Sequence, residues 1–147
     1  MIKWNELNFK PYEFACQHCR NNKSCDGHGF ATHLPAGEEI MDAKFIKTLQ
    51  EIRTSYGRSM TISSGYRCAA HPVEARKIKN GGKPGSHYSR KAADIRCSGT
   101  EALTLLKYIM QNPKITGVGI NQTGPHHLRF IHVDTLEDYP RPNLWSY

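Results

Sequence analysis

Two amphipathic helical segments are separated by short strand-like segments along this chain, and that order limits the folds open to it. Across residues 43–56 apolar side chains recur at three- and four-residue steps, which places them on one face of a helix. Asp42 can cap this helix, and Gly57 ends the pattern. The second helical segment follows Ser98, which has the spacing of a capping box with Glu101.

Strand-like segments lie between and after these helices. They are residues 60–64, 92–97, 115–120 and 129–134. Because helices and strands do not alternate as they do in βαβ units, the pattern predicts an α+β fold. The chain length of 147 residues suits one domain. We therefore expect a single domain over residues 1–147, in which residues 1–40 form an irregular N-terminal segment containing cysteine and histidine.

Most of the excess positive charge lies in one stretch of the chain. The formal net charge is +7, and residues 67–96 contain eight Lys or Arg side chains against two Asp or Glu. Such a stretch is either a solvated loop surface or the source of a positive electrostatic potential that attracts nucleic acid, an acidic polymer or a carboxylate-bearing peptide. The chain has no apolar run of the roughly 18 residues that a membrane span needs. It also begins without the apolar core of a signal peptide, so we expect no membrane insertion.

Five cysteines raise the question of a second metal site. They are Cys16, Cys19, Cys25, Cys68 and Cys97. Cys16 and Cys19 have the spacing of half a zinc knuckle, which Cys25, His28 and His33 could complete. Since only one clear pair is present, we expect a disulfide or reduced thiols here in preference to a second, structural zinc ion. Whether Cys68 and Cys97 form a disulfide stays open.

Three residues from separate segments carry the chemistry. His87 lies in a glycine-rich loop, Asp94 in a predicted strand, and His132 in the strand of residues 130–134. Side chains alternate along a strand, so His132 and Asp134 share one face while the aliphatic residues between them face the core. Two imidazoles and one carboxylate are a ligand set of catalytic zinc sites, which leave a fourth position for water.

Three ordered motifs resemble a known enzyme family. They are SGYR at 64–67, the segment 86–94 that opens with Ser-His and closes with Lys-Ala-Ala-Asp, and FIHVD at 130–134. The chain is similar here to zinc D-alanyl-D-alanine carboxypeptidases and L-alanyl-D-glutamate endopeptidases, a family that includes phage endolysins and shares its fold with Hedgehog signalling domains. The resemblance covers roughly residues 42–145, and the segment 9–19 is similar to leaders of phage members. It implies a small antiparallel sheet flanked by helices.

The resemblance also assigns roles to individual residues. It implies that His87, Asp94 and His132 bind one catalytic zinc ion and that Arg67 binds a carboxylate of the substrate. The second role is physically sensible, because a guanidinium binds a carboxylate at two points.

The chain departs from the family pattern at two positions. Arg90 stands where relatives commonly have glycine, so we expect a different loop shape between the first two ligands. Arg129 stands where many relatives have an acidic proton carrier. We place His127 first as the replacement acid and base, since some carboxypeptidase relatives use a histidine at that spacing. Asp134 comes second, and it could equally orient a ligand.

The expected function is that of a zinc peptidase acting on peptidoglycan stem peptides. The bond is either L-Ala-D-Glu or D-Ala-D-Ala, and the similarity to phage endolysins favours the first. We expect a monomer that is made in the cytoplasm and reaches the cell wall through a partner pore. One alternative is an inactive zinc-binding module that binds cell wall or a partner. Another is a nucleic-acid binder that uses the cysteine segment as a zinc knuckle; we do not expect it, because that segment carries almost none of the excess charge.

Overall fold

A five-stranded sheet organises the computed structural model, which describes residues 1–21, 28–30, 34 and 36–147. The strands are β1 (Thr61–Ser64), β2 (Ala92–Arg96), β3 (Gly117–Asn121), β4 (Phe130–Asp134) and β5 (Asn143–Ser146). The helices are α1 (Gln17–Asn21), α2 (Ala43–Tyr56), α3 (Pro72–Lys79) and α4 (Gly99–Gln111), with 3₁₀ turns at Trp4–Glu6, Pro11–Phe14, Ser86–Ser89 and His126–Leu128. The predicted α+β class is confirmed.

The strand order is β1-β2-β4-β3-β5. The first three pairings are antiparallel, and they place Asp94 of β2 and Gly119 of β3 directly beside His132 of β4. The last pairing, β3 with β5, is parallel. This parallel pairing departs from the expected antiparallel sheet. It arises because the chain passes over the sheet after β4 and adds β5 along the outer edge of β3. The sequence analysis did not predict β5, which is a short and mostly exposed edge strand.

Helix α2 forms as its apolar spacing predicts. The Asp42 carboxylate accepts the backbone N–H of Phe45 at 2.9 Å, and Gly57 ends the helix in the left-handed conformation at φ 72°. Its predicted apolar face is buried and forms part of the hydrophobic core. Helix α2 packs against α4, where Tyr56 and Tyr108 meet edge to face with ring centroids 5.8 Å apart.

Helix α4 forms without the predicted capping box. Ser98 occupies the N-cap position, but its side chain makes no capping hydrogen bond. Gly99 begins the helix at φ 58°, a left-handed conformation that alters the geometry of the first turn. The helix ends before Pro113, as predicted. Its buried face contains Ala102, Leu105 and Ile109, whereas Met110, which the spacing also assigned to that face, is exposed.

The hydrophobic core joins the N-terminal segment to one face of the sheet. Phe9 and Phe14 are fully buried in the same cluster as Ile95, Ile131 and Val133. Because alternate strand residues face opposite ways, these aliphatic side chains leave their polar neighbours in β2 and β4 on the other face. No helix within the described ranges has the length and apolar character of a membrane span.

Candidate metal centre and active site

His87, Asp94 and His132 converge on the polar face of the sheet. His87 lies in the 3₁₀ turn before β2, and the other two residues are register partners on adjacent strands. Oδ1 of Asp94 lies 3.2 Å from Nε2 of His87 and 2.9 Å from Nδ1 of His132. One donor atom from each of the three side chains lies within 4.8 Å of the others, and all three are buried. The three predicted ligands therefore meet at one point.

The backbone selects which nitrogen His87 presents to that point. Nδ1 of His87 lies 2.6 Å from the carbonyl oxygen of Gly65, a group that can only accept a hydrogen bond. The proton therefore sits on Nδ1, and the lone pair of Nε2 faces Asp94. Burial lowers the pKa of His87, so its imidazole is neutral near pH 7, as a metal ligand must be.

Nδ1 of His132 faces Asp94, and the ring is oriented through its second nitrogen, Nε2. Nε2 lies 3.1 Å from Oδ2 of Asp134 and 3.3 Å from Oγ of Ser86. Burial by itself would lower the pKa of His132, but Asp134 and Asp94 outweigh it and the pKa rises. The two carboxylates therefore favour a positive charge on this imidazole.

Both buried carboxylates are ionised. Burial opposes their charge, but His87 and His132 outweigh it at Asp94 and hold the pKa of that carboxyl below its usual value. At Asp134 the opposing groups are His132 and Arg141, with the same result for its pKa. Two imidazoles and an ionised carboxylate match the donor set that zinc prefers, so these residues fit a zinc ion.

Arg67 lies beside the three converging residues. Its Nη2 is 3.0 Å from Oδ2 of Asp94, and its Nε donates to Oγ of Ser64 at 3.0 Å. The side chain is 19% exposed, whereas that of Asp94 is 5% exposed. Arg67 therefore stands at the rim, between the carboxylate and solvent.

His127 is not among the converging residues. It lies in the exposed 3₁₀ turn before β4, and within the described part of the chain its imidazole makes no hydrogen bond, ion pair or ring contact. Asp134, the second candidate proton carrier, is fully buried between His132 and Arg141.

Arg90 keeps a glycine-like backbone in the loop between the first two ligands. Its φ is 65°, so the loop has the left-handed turn that glycine adopts readily. The side chain donates to the carbonyl of Glu39 at 2.9 Å, and its guanidinium lies 5.3 Å from the ring centroid of Tyr66. These contacts support the left-handed conformation at Arg90, and the expected difference in loop shape from relatives stays a prediction.

Sequence reasoning included Arg141 and Trp145 in the family resemblance but gave no role to the groups that support His132. Arg141 pairs with Asp134, and the ring of Trp145 lies 5.2 Å from that of His132. A Cβ at Gly117 would overlap the Asp134 carboxylate, so this glycine makes room for it. The signal that could have found Arg141 is that Asp134, on a buried strand face, needs a cationic partner.

The described cysteines form no disulfide, as one of the expected alternatives has it, but three of them form a cluster that the sequence did not predict. Cys16, Cys19 and Cys68 bring their sulfurs within 4.8 Å of one another, and all three side chains are buried. Cys97 is a free thiol, so it does not pair with Cys68. His28 contacts Glu38 and Arg90. The roles considered for Cys25 and His33 lie outside the described residues.

Comparison with known proteins identifies one family. A family model described as Peptidase M15 matches residues 7–134, which include Arg67 and the three converging residues. No curated protein and no solved structure matches the chain.

Proposed function

Because this chain belongs to the peptidase M15 family of zinc-dependent metallopeptidases, we propose that it hydrolyses the stem peptides of bacterial peptidoglycan. The observation that carries the proposal is the convergence of His87, Asp94 and His132 within 4.8 Å. We assign these three side chains as the ligands of one zinc ion. Zinc bound by such a set supplies Lewis acidity, which activates water near neutral pH and polarises a peptide carbonyl.

Two supporting contacts orient the ligands. The Gly65 carbonyl holds the proton of His87 on Nδ1, which leaves Nε2 for the metal. Asp134 performs the corresponding task for His132 by accepting a hydrogen bond from Nε2. We assign Asp134 this orienting role, and not that of a base, because Arg141 occupies both of its oxygens.

The proton carrier we propose is His127. A general base must take a proton from the attacking water and deliver it to the leaving amine. The His127 imidazole is exposed and has no competing polar contact among the described residues, so it can exchange protons with substrate and solvent. Catalytic hydrogen bonds often tighten only once substrate is bound, so the lack of a hydrogen bond at His127 without substrate is compatible with this role.

Arg67 would anchor the substrate. A guanidinium has five N–H donors, and two of its nitrogens contact Ser64 and Asp94, so donors remain for a carboxylate at the rim. Stem peptides are acidic, and the basic stretch of residues 67–96 contains Arg67 and the first two ligands. The same region can therefore attract and align an acidic peptide.

We further propose that the bond cut is L-Ala-D-Glu and that the role is bacteriolytic, as in the phage endolysins that the chain resembles, after release to the wall through a partner pore. Cutting within crosslinked stems weakens the wall, whereas removal of a terminal D-Ala leaves it intact. The protein would act as a monomer.

The test is digestion of purified peptidoglycan, followed by mass spectrometry of the muropeptides. We expect fragments that end at L-Ala, loss of the activity with a zinc chelator and its return with Zn²⁺. Release of D-Ala alone would identify a carboxypeptidase. Cleavage that continues in chelator would overturn the metal assignment, and intact stems after treatment with zinc-loaded protein would favour the binding module. His87→Ala is the matched inactive control.

A further inference from the structure

Three buried cysteines form a second cluster of metal-ligating side chains, separate from the histidines. Cys16 and Cys19 come from the N-terminal segment, and Cys68 follows Arg67 in the loop after β1. Their sulfurs lie within 4.8 Å of one another, and the residues are at most 2% exposed. Two sulfurs bound at about 2.3 Å to one tetrahedral zinc ion lie roughly 3.8 Å apart, so this spacing suits a shared ion.

The surrounding backbone brings these cysteines together. The N–H of Tyr66 donates to the carbonyl of Phe14 at 2.8 Å, and Gln17 donates to the carbonyl of Ser63 at 2.7 Å. A Cβ at Gly65 would overlap the backbone of Phe14, so the close approach of the two segments requires glycine there. The contact between segments some fifty residues apart is therefore built into the fold.

We propose that Cys16, Cys19 and Cys68 bind a structural Zn²⁺ ion. A disulfide would join two of the sulfurs and leave out the third, and the structure shows no disulfide among these three described cysteines. Thiolates are soft ligands that select zinc over harder ions, and a structural site commonly holds two of them in a Cys-x-x-Cys pair. The backbone N–H of Cys68 points at Sγ of Cys16 at 3.5 Å, a contact that stabilises negative charge on sulfur.

Such an ion would link the N-terminal segment to the loop after β1, which also contributes groups to the site of the two histidines. Residues 65–68 contain the Gly65 carbonyl that orients His87, the Arg67 guanidinium and the Cys68 ligand. The site is a positioning element with its own metal, so its existence does not depend on the proposed peptidase activity.

The test is the metal content and the cobalt spectrum of the full chain, purified under reducing conditions. We expect about two zinc ions per chain in the wild type and about one in Cys68→Ser, while Cys97→Ser, a matched buried cysteine, keeps both. After cobalt substitution, the wild type should show thiolate-to-cobalt charge-transfer absorption in the near ultraviolet. His87→Ala should keep this absorption, because the histidine site contains no sulfur.

The cobalt spectrum tests the proposal even if Cys68→Ser fails to fold. A cobalt-loaded wild type without thiolate absorption overturns it, as does a disulfide among the three cysteines in reduced preparations. Failure of the proposed function looks different: the thiolate absorption remains and the cysteine site keeps its zinc ion, but the stem peptides are not cut.

Discussion

Arg141 holds the carboxylate of Asp134 at both oxygens: Nε lies 3.0 Å from Oδ1 and Nη2 lies 2.8 Å from Oδ2. The carboxylate also accepts the N–H of Leu136 at 3.2 Å and faces Nε2 of His132 at 3.1 Å. With Asp134 fully buried and so engaged, its charge acts on His132 and is not available to a substrate. A two-point contact of this kind fixes orientation as well as charge.

The first prediction concerns this ion pair. Arg141→Lys keeps the charge but removes the planar fork, so Asp134 and His132 lose their fixed orientation. We expect zinc affinity to fall by about 10- to 100-fold, with a smaller change of kcat at saturating zinc. Competition with a chromophoric chelator measures the affinity. Arg58→Lys, at an exposed position, is the control. Unchanged affinity in Arg141→Lys would show that the pair does not support the metal.

A second prediction separates the two candidate proton carriers. His127→Ala should lower kcat by about 10²- to 10⁴-fold, the usual contribution of a general base, and leave zinc content unchanged. His126→Ala is the matched control, because it removes the neighbouring exposed imidazole of the same turn. Kinetics on a purified muropeptide provide the measurement. If His127→Ala keeps wild-type kcat while zinc-loaded Asp134→Asn is inactive, the assignment must pass to Asp134.

The elements with local signals could be predicted from the sequence. Helix α2 has its cap, its apolar face and its terminating glycine within sixteen consecutive residues, so the local sequence was enough to predict the helix and both of its ends. The alternation in β4 also placed His132 and Asp134 on one face and the aliphatic residues in the core. β5 could not be predicted, because a four-residue edge strand depends on its parallel pairing with β3, which no local pattern reports.

The residues of the two candidate metal sites also divide into those that sequence motifs predict and those that depend on tertiary packing. His87, Asp94 and His132 were predicted through ordered motifs, and the register of β2 against β4 explains why motifs so far apart meet. The contact of Cys68 with Cys16 was not predicted, because it depends on how the N-terminal segment packs against the loop after β1. A Cys-x-x-Cys pair read alone does not identify a third ligand about fifty residues away.

A third prediction tests the substrate carboxylate. Arg67→Lys should raise KM by about 10- to 100-fold, since a charge-assisted contact contributes about 1.5–3 kcal/mol, while kcat changes less. Amidating the carboxylate of the peptide should weaken wild-type binding by the same factor and should have a smaller effect in the variant, whose lysine keeps the charge but cannot make the two-point contact. Arg96→Lys, the same substitution at an exposed position of the same basic stretch, is the control for losing a guanidinium elsewhere in that stretch. Equal sensitivity of both proteins to amidation would show that Arg67 does not contact that carboxylate.

The last prediction concerns the stability cost of the left-handed backbone at Arg90. Arg90→Ala removes the contacts with Glu39 and Tyr66 and keeps a Cβ at φ 65°, whereas Arg90→Gly removes the same contacts and the Cβ together. A Cβ in this conformation costs roughly 1–2 kcal/mol, so we expect the glycine variant to have the higher free energy of unfolding by about 1 kcal/mol. Urea denaturation of the zinc-loaded variants measures the difference. An alanine variant as stable as the glycine variant would mean that the loop leaves the left-handed region once the guanidinium contacts are gone.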